Sequence, residues 1–290
     1  MIEGINSDFA FCHGAIFPPG ASPTESSIMT VRNPLFLSHG APSLLTGRSQ
    51  ARAFLTKFGS RMAEPASWIV VSAHWESGPV KVTASSRPST IHDFAGFGEV
   101  LARYQYTANG SPELAVHIAA RLKAVGISAE TDANRGLDHG VWVPLALLRP
   151  QPQAPVIQVS LPPRQSQDHA SAELGAALAP LAREGHQLVF SGSLTHSLRD
   201  ALGAPEDAPP LAEAESFAEW ARPKLVAGDL SAILDWRSAP HAARNHPTPE
   251  HFRPLIAALA ASGGGGEALH AGWTHGALAM DVWRFPALAA

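Results

Sequence analysis

Trp68-Ile69-Val70-Val71-Ser72-Ala73-His74 is the stretch on which the fold turns. It is a short apolar run rich in β-branched residues, interrupted by a single serine, which is the pattern of a strand buried on both faces of a parallel sheet. Residues 34–38 (PLFLS), 155–161 (PVIQVSL) and 187–191 (QLVFS) read the same way. Between these runs lie Ala/Leu-rich amphipathic stretches at 48–58, 111–124, 143–148, 166–184, 211–227 and 249–261, whose spacing predicts helices. Serine or proline opens several of them, and Gly126 and Gly185 follow two, the expected asymmetry of helix ends. The alternation predicts a single α/β domain with a mainly parallel or mixed central sheet flanked by helices. Residues 1–33, which include Phe17-Pro18-Pro19-Gly20, are expected to form a flexible leader, and 34–290 the catalytic domain. The tail at 276–285 is expected to add a last strand.

With 290 residues, 45% of them hydrophobic and 16% charged, the chain can bury a large core. A net charge of −4 without a basic run gives no footprint for nucleic acid. No apolar stretch nears the roughly 20 residues that span a bilayer, and no signal-peptide pattern opens the chain. The single Cys12 excludes an internal disulfide or a thiolate metal cage and fits a cytoplasmic location. His-Glu-x-x-His and Gly-x-Ser-x-Gly are absent, which disfavours a helix-borne protease zinc site and a serine hydrolase.

Histidine carries the chemistry. Of the 14 in the chain, His39 follows the 34–38 run, His74 follows 68–73, and His196 lies a few residues after 187–191. Parallel strands of an open α/β sheet deliver ligands at their carboxyl ends. These three imidazoles therefore converge without any short motif, in a set that suits Fe(II) or zinc and leaves coordination positions open. His139, in Gly136-Leu137-Asp138-His139-Gly140, reads as a tight exposed turn whose imidazole can exchange protons near neutral pH. His246 and His251 flank a helix start at which Thr248 would be the N-cap and Pro249 the first helical residue.

Six motifs, in order, carry a resemblance: Leu37-Ser38-His39-Gly40-Ala41-Pro42, Val71-Ser72-Ala73-His74-Trp75, Thr90-Ile91-His92-Asp93-Phe94, Leu137-Asp138-His139-Gly140, Thr195-His196-Ser197-Leu198-Arg199 and His246-Pro247-Thr248-Pro249-Glu250-His251-Phe252. Together they resemble the DODA-type extradiol dioxygenases, the 4,5-DOPA dioxygenase-like members of the class III (LigB-type) ring-cleaving superfamily. The resemblance spans about residues 34 to 285. It implies a metal held by His39, His74 and His196, with His251 closing the pocket as a further metal-associated or catalytic group. It also makes His139 the acid–base residue. More distant members use two His and one Glu; no Glu in this sequence stands out for that place.

The resemblance implies a non-haem Fe(II) enzyme, with Zn(II) as the other metal the site would accept. It would open a catechol ring with O2 to a semialdehyde that also carries a carboxylate. Trp75, Phe94 and Phe97 are candidates to stack on the ring, and His92 to meet a polar substituent. The expected partners are a catechol and O2, with no nucleic acid and no membrane, and the protein is a monomer or homodimer. A zinc-dependent hydrolase and a non-catalytic binding protein on the same fold are the competing readings.

Overall fold

The Trp68 run lies at the centre of an eight-stranded sheet in the computed structural model of the protein, which describes residues 30–166 and 168–289. In chain order the strands are β1 (Leu35–Ser38), β2 (Trp68–Glu76), β3 (Val80–Thr83), β4 (Ala129–Asp132), β5 (Val156–Leu161), β6 (Gln187–Gly192), β7 (Glu267–His270), β8 (Trp273–Thr274), β9 (Leu278–Ala279) and β10 (Val282–Arg284). The large sheet runs β4-β3-β5-β2-β6-β1-β10-β7, and β8 and β9 form a separate small ladder. Its heart, β5-β2-β6-β1, is parallel throughout, while β3 joins β5 and β10 joins β1 in antiparallel sense. The sheet is thus mixed around a parallel core, and the four runs picked out by their composition are that core.

Alternation sorts each strand between two layers of helices. Ile69, Val71, Phe36, Phe190 and Val159 pack with Leu122, Leu178, Phe217 and Ile256, from the helices Pro112–Ala124, Asp168–Arg183, Ala212–Ala227 and Arg253–Ala260. Trp68, Val70, Leu35, Leu37 and Val189 pack on the other face against Leu55 of Gln50–Gly59 and Trp142 of His139–Leu148. Each buried Val, Leu or Phe contributes about 1.5–3 kcal/mol relative to exposure. A one-residue slip would exchange the two faces of a strand, so the register is firmly held.

Several boundaries differ from expectation. The short strands β3, β4 and β7 carry charged residues and escape notice in the sequence; β7 and β4 form the two edges of the sheet. The tail is broken into β9 and β10 rather than forming one strand, and a bulge disturbs β10 against β7. The helix expected from residue 249 begins at Arg253, with Pro254 in its first turn, so Thr248 and Pro249 do not cap it. Thr248 instead donates to Glu250 Oε1 at 2.7 Å. Residues 1–29, with Cys12 and most of the expected leader, lie outside the described residues. Arg32 is already tied in, its backbone N–H donating to Ala182 O at 2.8 Å and its guanidinium to Glu64 O at 2.7 Å. None of the described helices is long and apolar enough to cross a membrane.

One buried ion pair fixes the helix that follows the site. Arg253, 1% exposed, donates through Nε to Asp168 Oδ1 at 3.1 Å, and through its terminal nitrogens to Glu76 Oε1 at 3.2 Å and the Arg164 carbonyl at 3.0 Å. Asp168 also accepts from Trp236 Nε1 at 2.9 Å and from Arg237. Burial pushes the Asp168 carboxyl up, but bonds from Arg237, Trp236 and Arg253 outweigh it and hold the pKa below the usual carboxylate value. A depressed pKa makes this stabilisation complete above the unfolded carboxylate pKa of about 3.9 and removes it as the pH falls through the folded value. Asp168→Ala should cost about 3 kcal/mol near neutral pH, because it leaves a buried guanidinium short of its partner. Denaturant titrations should show that difference shrinking below about pH 4. A difference unchanged with pH would mean that packing, not charge, is what the substitution removes.

Candidate metal centre

A tier of buried serines marks where the parallel strands end. Leu37 pairs with Ser191 and Ser38 with Gly192 across β1 and β6, and Ser72 pairs with Ser191 across β2 and β6. Ser38, Ser72 and Ser191 are at most 1% exposed, and each has a partner. Ser38 Oγ accepts from Leu194 N at 3.2 Å, Ser72 Oγ donates to Asp138 Oδ1 at 2.7 Å, and Ser191 Oγ donates to the Gly140 carbonyl at 2.5 Å. Just beyond this tier the chain presents His39 after β1 and His74 near the end of β2. His139 is the first residue of the His139–Leu148 helix, and His251 lies in the turn before Arg253–Ala260.

Three of these imidazoles face one another. His74 Nε2 lies 3.1 Å from His39 Nε2 and 3.3 Å from His251 Nε2, and the ligand atoms of all three fall within 4.8 Å of one another. Hydrogen bonding on the far side of each ring sets the tautomers. The Ser191 hydroxyl proton is committed to the Gly140 carbonyl, so His39 Nδ1, 2.9 Å from Ser191 Oγ, must be the donor there. His251 Nδ1 is 3.2 Å from Glu250 Oε1, which can only accept. Both rings therefore turn bare Nε2 lone pairs toward His74, whose own Nδ1 faces Asp93 Oδ2 at 3.7 Å. A single N–H on His74 could satisfy at most one of those lone pairs. A cation among the three satisfies them all, and this donor set fits one.

Electrostatics favour the ligating form. Burial, with the neighbouring His139, lowers His74 to about 4. Burial and the adjacent imidazoles, His74 for one and His196 for the other, lower His39 and His251 well below the ordinary histidine value. All three are neutral near pH 7, so no proton competes with a metal. Neutral ligands contribute no negative charge, which comes instead from Asp93 behind His74 and Glu250 behind His251. Burial pushes the Asp93 carboxyl up, but the hydrogen bond from His139 outweighs it and holds Asp93 at about 2.

His139 is joined to this centre through Asp93. Its Nδ1 donates to Asp93 Oδ1 at 2.8 Å, and its backbone N–H reaches the same oxygen at 3.1 Å. Its ring centroid is 3.9 Å from that of His74 and 5.6 Å from that of His39. With Nδ1–H given to a carboxylate, His139 Nε2 carries the lone pair of a base. The exposed turn expected at 136–140 is instead buried, with Asp138 at 0% and His139 at 7% exposure. Asp138 accounts for this, accepting from Ser72 and Gln158 inside the domain.

The remaining candidates fall into place around the four rings. His196 lies flat against His251, centroids 3.4 Å apart and planes within 9°, but it is outside the trio whose ligand atoms converge. Burial and His74 lower its pKa to about 4. His246, 3% exposed, anchors the preceding loop by donating from Nε2 to Leu194 O at 2.9 Å. Phe94 stands edge-on to His139 at 5.6 Å, and Phe97 packs against Phe94 at 5.5 Å. His92 gives its Nε2–H to the Tyr104 carbonyl at 2.8 Å, so a substrate contact falls to Nδ1. Trp75 is buried with the Arg135 guanidinium 4.9 Å from its ring centroid, on the side of β2 that alternation sets opposite His74. Ser191, Asp93 and Glu250 join the site without having been singled out, although Asp93 and Glu250 lie inside two of the six motifs. The signals that could have found them are a serine closing an apolar strand and the acids beside His92 and His251 within those motifs.

Comparison with known proteins agrees with this geometry. A family model described as the catalytic LigB subunit of aromatic ring-opening dioxygenase matches residues 34–280. A Beta vulgaris protein named 4,5-DOPA dioxygenase extradiol is 36% identical over 262 residues, covering 88% of this chain and 97% of its own. An Escherichia coli K12 protein of the same name is 34% identical over 233 residues, covering 78% and 84%. The crystal structure of an uncharacterized Escherichia coli K12 protein superposes with a TM-score of 0.73 at 29% identity, over 88% of this chain and 99% of that one.

Two substitutions probe how the rings are held. A Cβ on Gly140 would run into Ser72 Oγ and lie 3.0 Å from His74 Cδ2, so Gly140→Ala should cost about 1–3 kcal/mol and displace His74. Ser191→Ala removes the acceptor that fixes the His39 tautomer and should weaken metal binding about 10–100-fold. Metal titration with denaturation checks both, and wild-type affinity in Ser191→Ala would overturn the tautomer assignment.

Proposed function

The chain belongs to the LigB family of aromatic ring-opening dioxygenases, and on that premise we propose that it is an Fe(II)-dependent extradiol dioxygenase whose metal is held by His39, His74 and His251. A ring-cleaving dioxygenase takes a small aromatic substrate and O2, and here we assign a catechol, DOPA-like or otherwise. The observation that carries the reading is the set of three Nε2 atoms turned toward one another with His139 beside them. The zinc-hydrolase and non-catalytic readings give way to the family. Zinc fits the imidazoles as well, but ring cleavage with O2 calls for a redox metal.

When bound, Fe(II) supplies the charge that acidifies a catechol hydroxyl and a centre at which catechol and O2 meet. The protein does the rest. His139, with Nδ1 fixed on Asp93, offers Nε2 as general base to the departing catechol proton and later returns that proton to the opening ring. Asp93 stabilises the imidazolium while the proton is held. Phe94 lies against His139 and limits water at the base. His196, stacked on His251, fixes the plane of that ligand.

Anaerobic reconstitution with Fe(II), followed by oxygen uptake with a panel of catechols, tests the proposal. Stoichiometric uptake with a coloured semialdehyde is expected, and no uptake despite bound iron would overturn it. His139→Ala should keep the metal and lose about 10²–10⁴-fold in kcat, whereas His74→Ala should lose the metal. Equal metal loss in both variants would erase the division of roles.

A further inference from the structure

We infer that the site extends into an apolar groove that receives the ring substituent of the catechol and selects an alkyl or aryl arm over a charged one. The inference rests on the function proposed above and adds the class of substrate. The groove is a cavity of about 260 Å³ whose walls include Ala41, Phe97, Leu198, Leu202 and Leu278. Its polar lining is limited to Ser43 and His275 and includes no Asp, Glu, Lys or Arg among the described residues. His275 Nδ1 is already given to the Ala204 carbonyl at 2.8 Å.

A chain of side-chain contacts from the groove to His139 points to the occupant. Ala41 is two residues beyond His39, and Leu198 two beyond His196. Phe97 packs on Phe94, which stands edge-on to the base His139. One wall of the groove is thus the outer end of the aromatic path that starts at the reacting centre. Leu198, Leu202 and Phe97 are 52%, 80% and 38% exposed, a run of apolar surface that a substrate arm would cover. An ammonium or carboxylate placed there would lose hydration and gain no opposite charge. Each methylene buried is worth about 0.8 kcal/mol, or about fourfold in binding.

The test is a series of 4-alkylcatechols from methyl to pentyl, set against catechols bearing an amino-acid or ammonium arm. Oxygen uptake gives kcat/KM, and equilibrium binding of the same series under nitrogen reads the groove where turnover fails. Both should rise about fourfold per methylene until the groove is full. Leu202→Asp and Leu198→Asp should flatten that slope. A flat series in the wild type, or a preference for the charged arms, overturns the inference while leaving ring cleavage intact. So does a flat series in a protein that sediments as a dimer and is split by Leu202→Asp, since a second copy would then cover the leucines. Absence of uptake with a rising binding slope would strike the proposed reaction and leave the groove standing.

Discussion

Everything at the centre of this protein depends on which nitrogen of each imidazole is already spoken for. His39 gives its Nδ1 proton to a serine whose own proton is locked on the Gly140 carbonyl, and His251 gives its Nδ1 proton to Glu250. Two bare Nε2 atoms are left facing a third within 3.3 Å. In water such lone pairs would find hydrogen-bond donors. Here a single N–H on His74 is the donor the described residues offer between the facing nitrogens, and a cation is the partner that relieves them together. The metal preference is written in the hydrogen bonds behind the rings as much as in the rings.

Those bonds depend on the sheet. Ser191 reaches both His39 and Gly140 because β6 lies between β1 and β2, and the parallel register sets Ser72 beside Ser191. Gly140 must be glycine because Ser72 Oγ and His74 occupy the space a Cβ would fill. Gly192 is under the same restriction from the His251 carbonyl, which stands where its Cβ would go. Through Ser193 N–H, which donates to that carbonyl at 2.8 Å, the end of β6 also fixes the turn bearing His251. Strand ends, tautomers and close backbone approaches therefore form one connected constraint.

Charge is arranged around the centre rather than in it. Three neutral imidazoles bring no negative charge of their own to a cation held among them, so its positive charge would stay uncompensated by its nearest partners. Asp93 is shared between His74 and His139, so two rings of the site answer to one carboxylate. Arg253 and Asp168 tie the helix that follows His251 to the start of the Asp168–Arg183 helix.

Much of this was legible in the chain. Four short apolar runs are the four parallel strands at the heart of the sheet, because a strand buried on both faces has no polar positions to give. His39 and His74 follow from their places at the ends of those runs. The edge strands stayed hidden because half-exposed strands carry charge, and Ala-Glu-Thr-Asp at 129–132 has the composition of a turn. The resemblance pointed to His251 as metal-associated, but that it, and not His196, faces His39 and His74, that His196 stacks behind it, and that His139 is buried were not readable. They depend on how the turn before Arg253 packs against the end of β6 and on Asp138 finding Ser72 and Gln158. Sequence by itself determined the layers, the central strands and the kind of chemistry, since these follow from local periodicity and residue type. Tertiary structure alone decided which imidazoles converge and which nitrogen His39 presents, because His39 and His251 meet His74 from 35 and 177 residues away along the chain and Ser191 reaches His39 from 152.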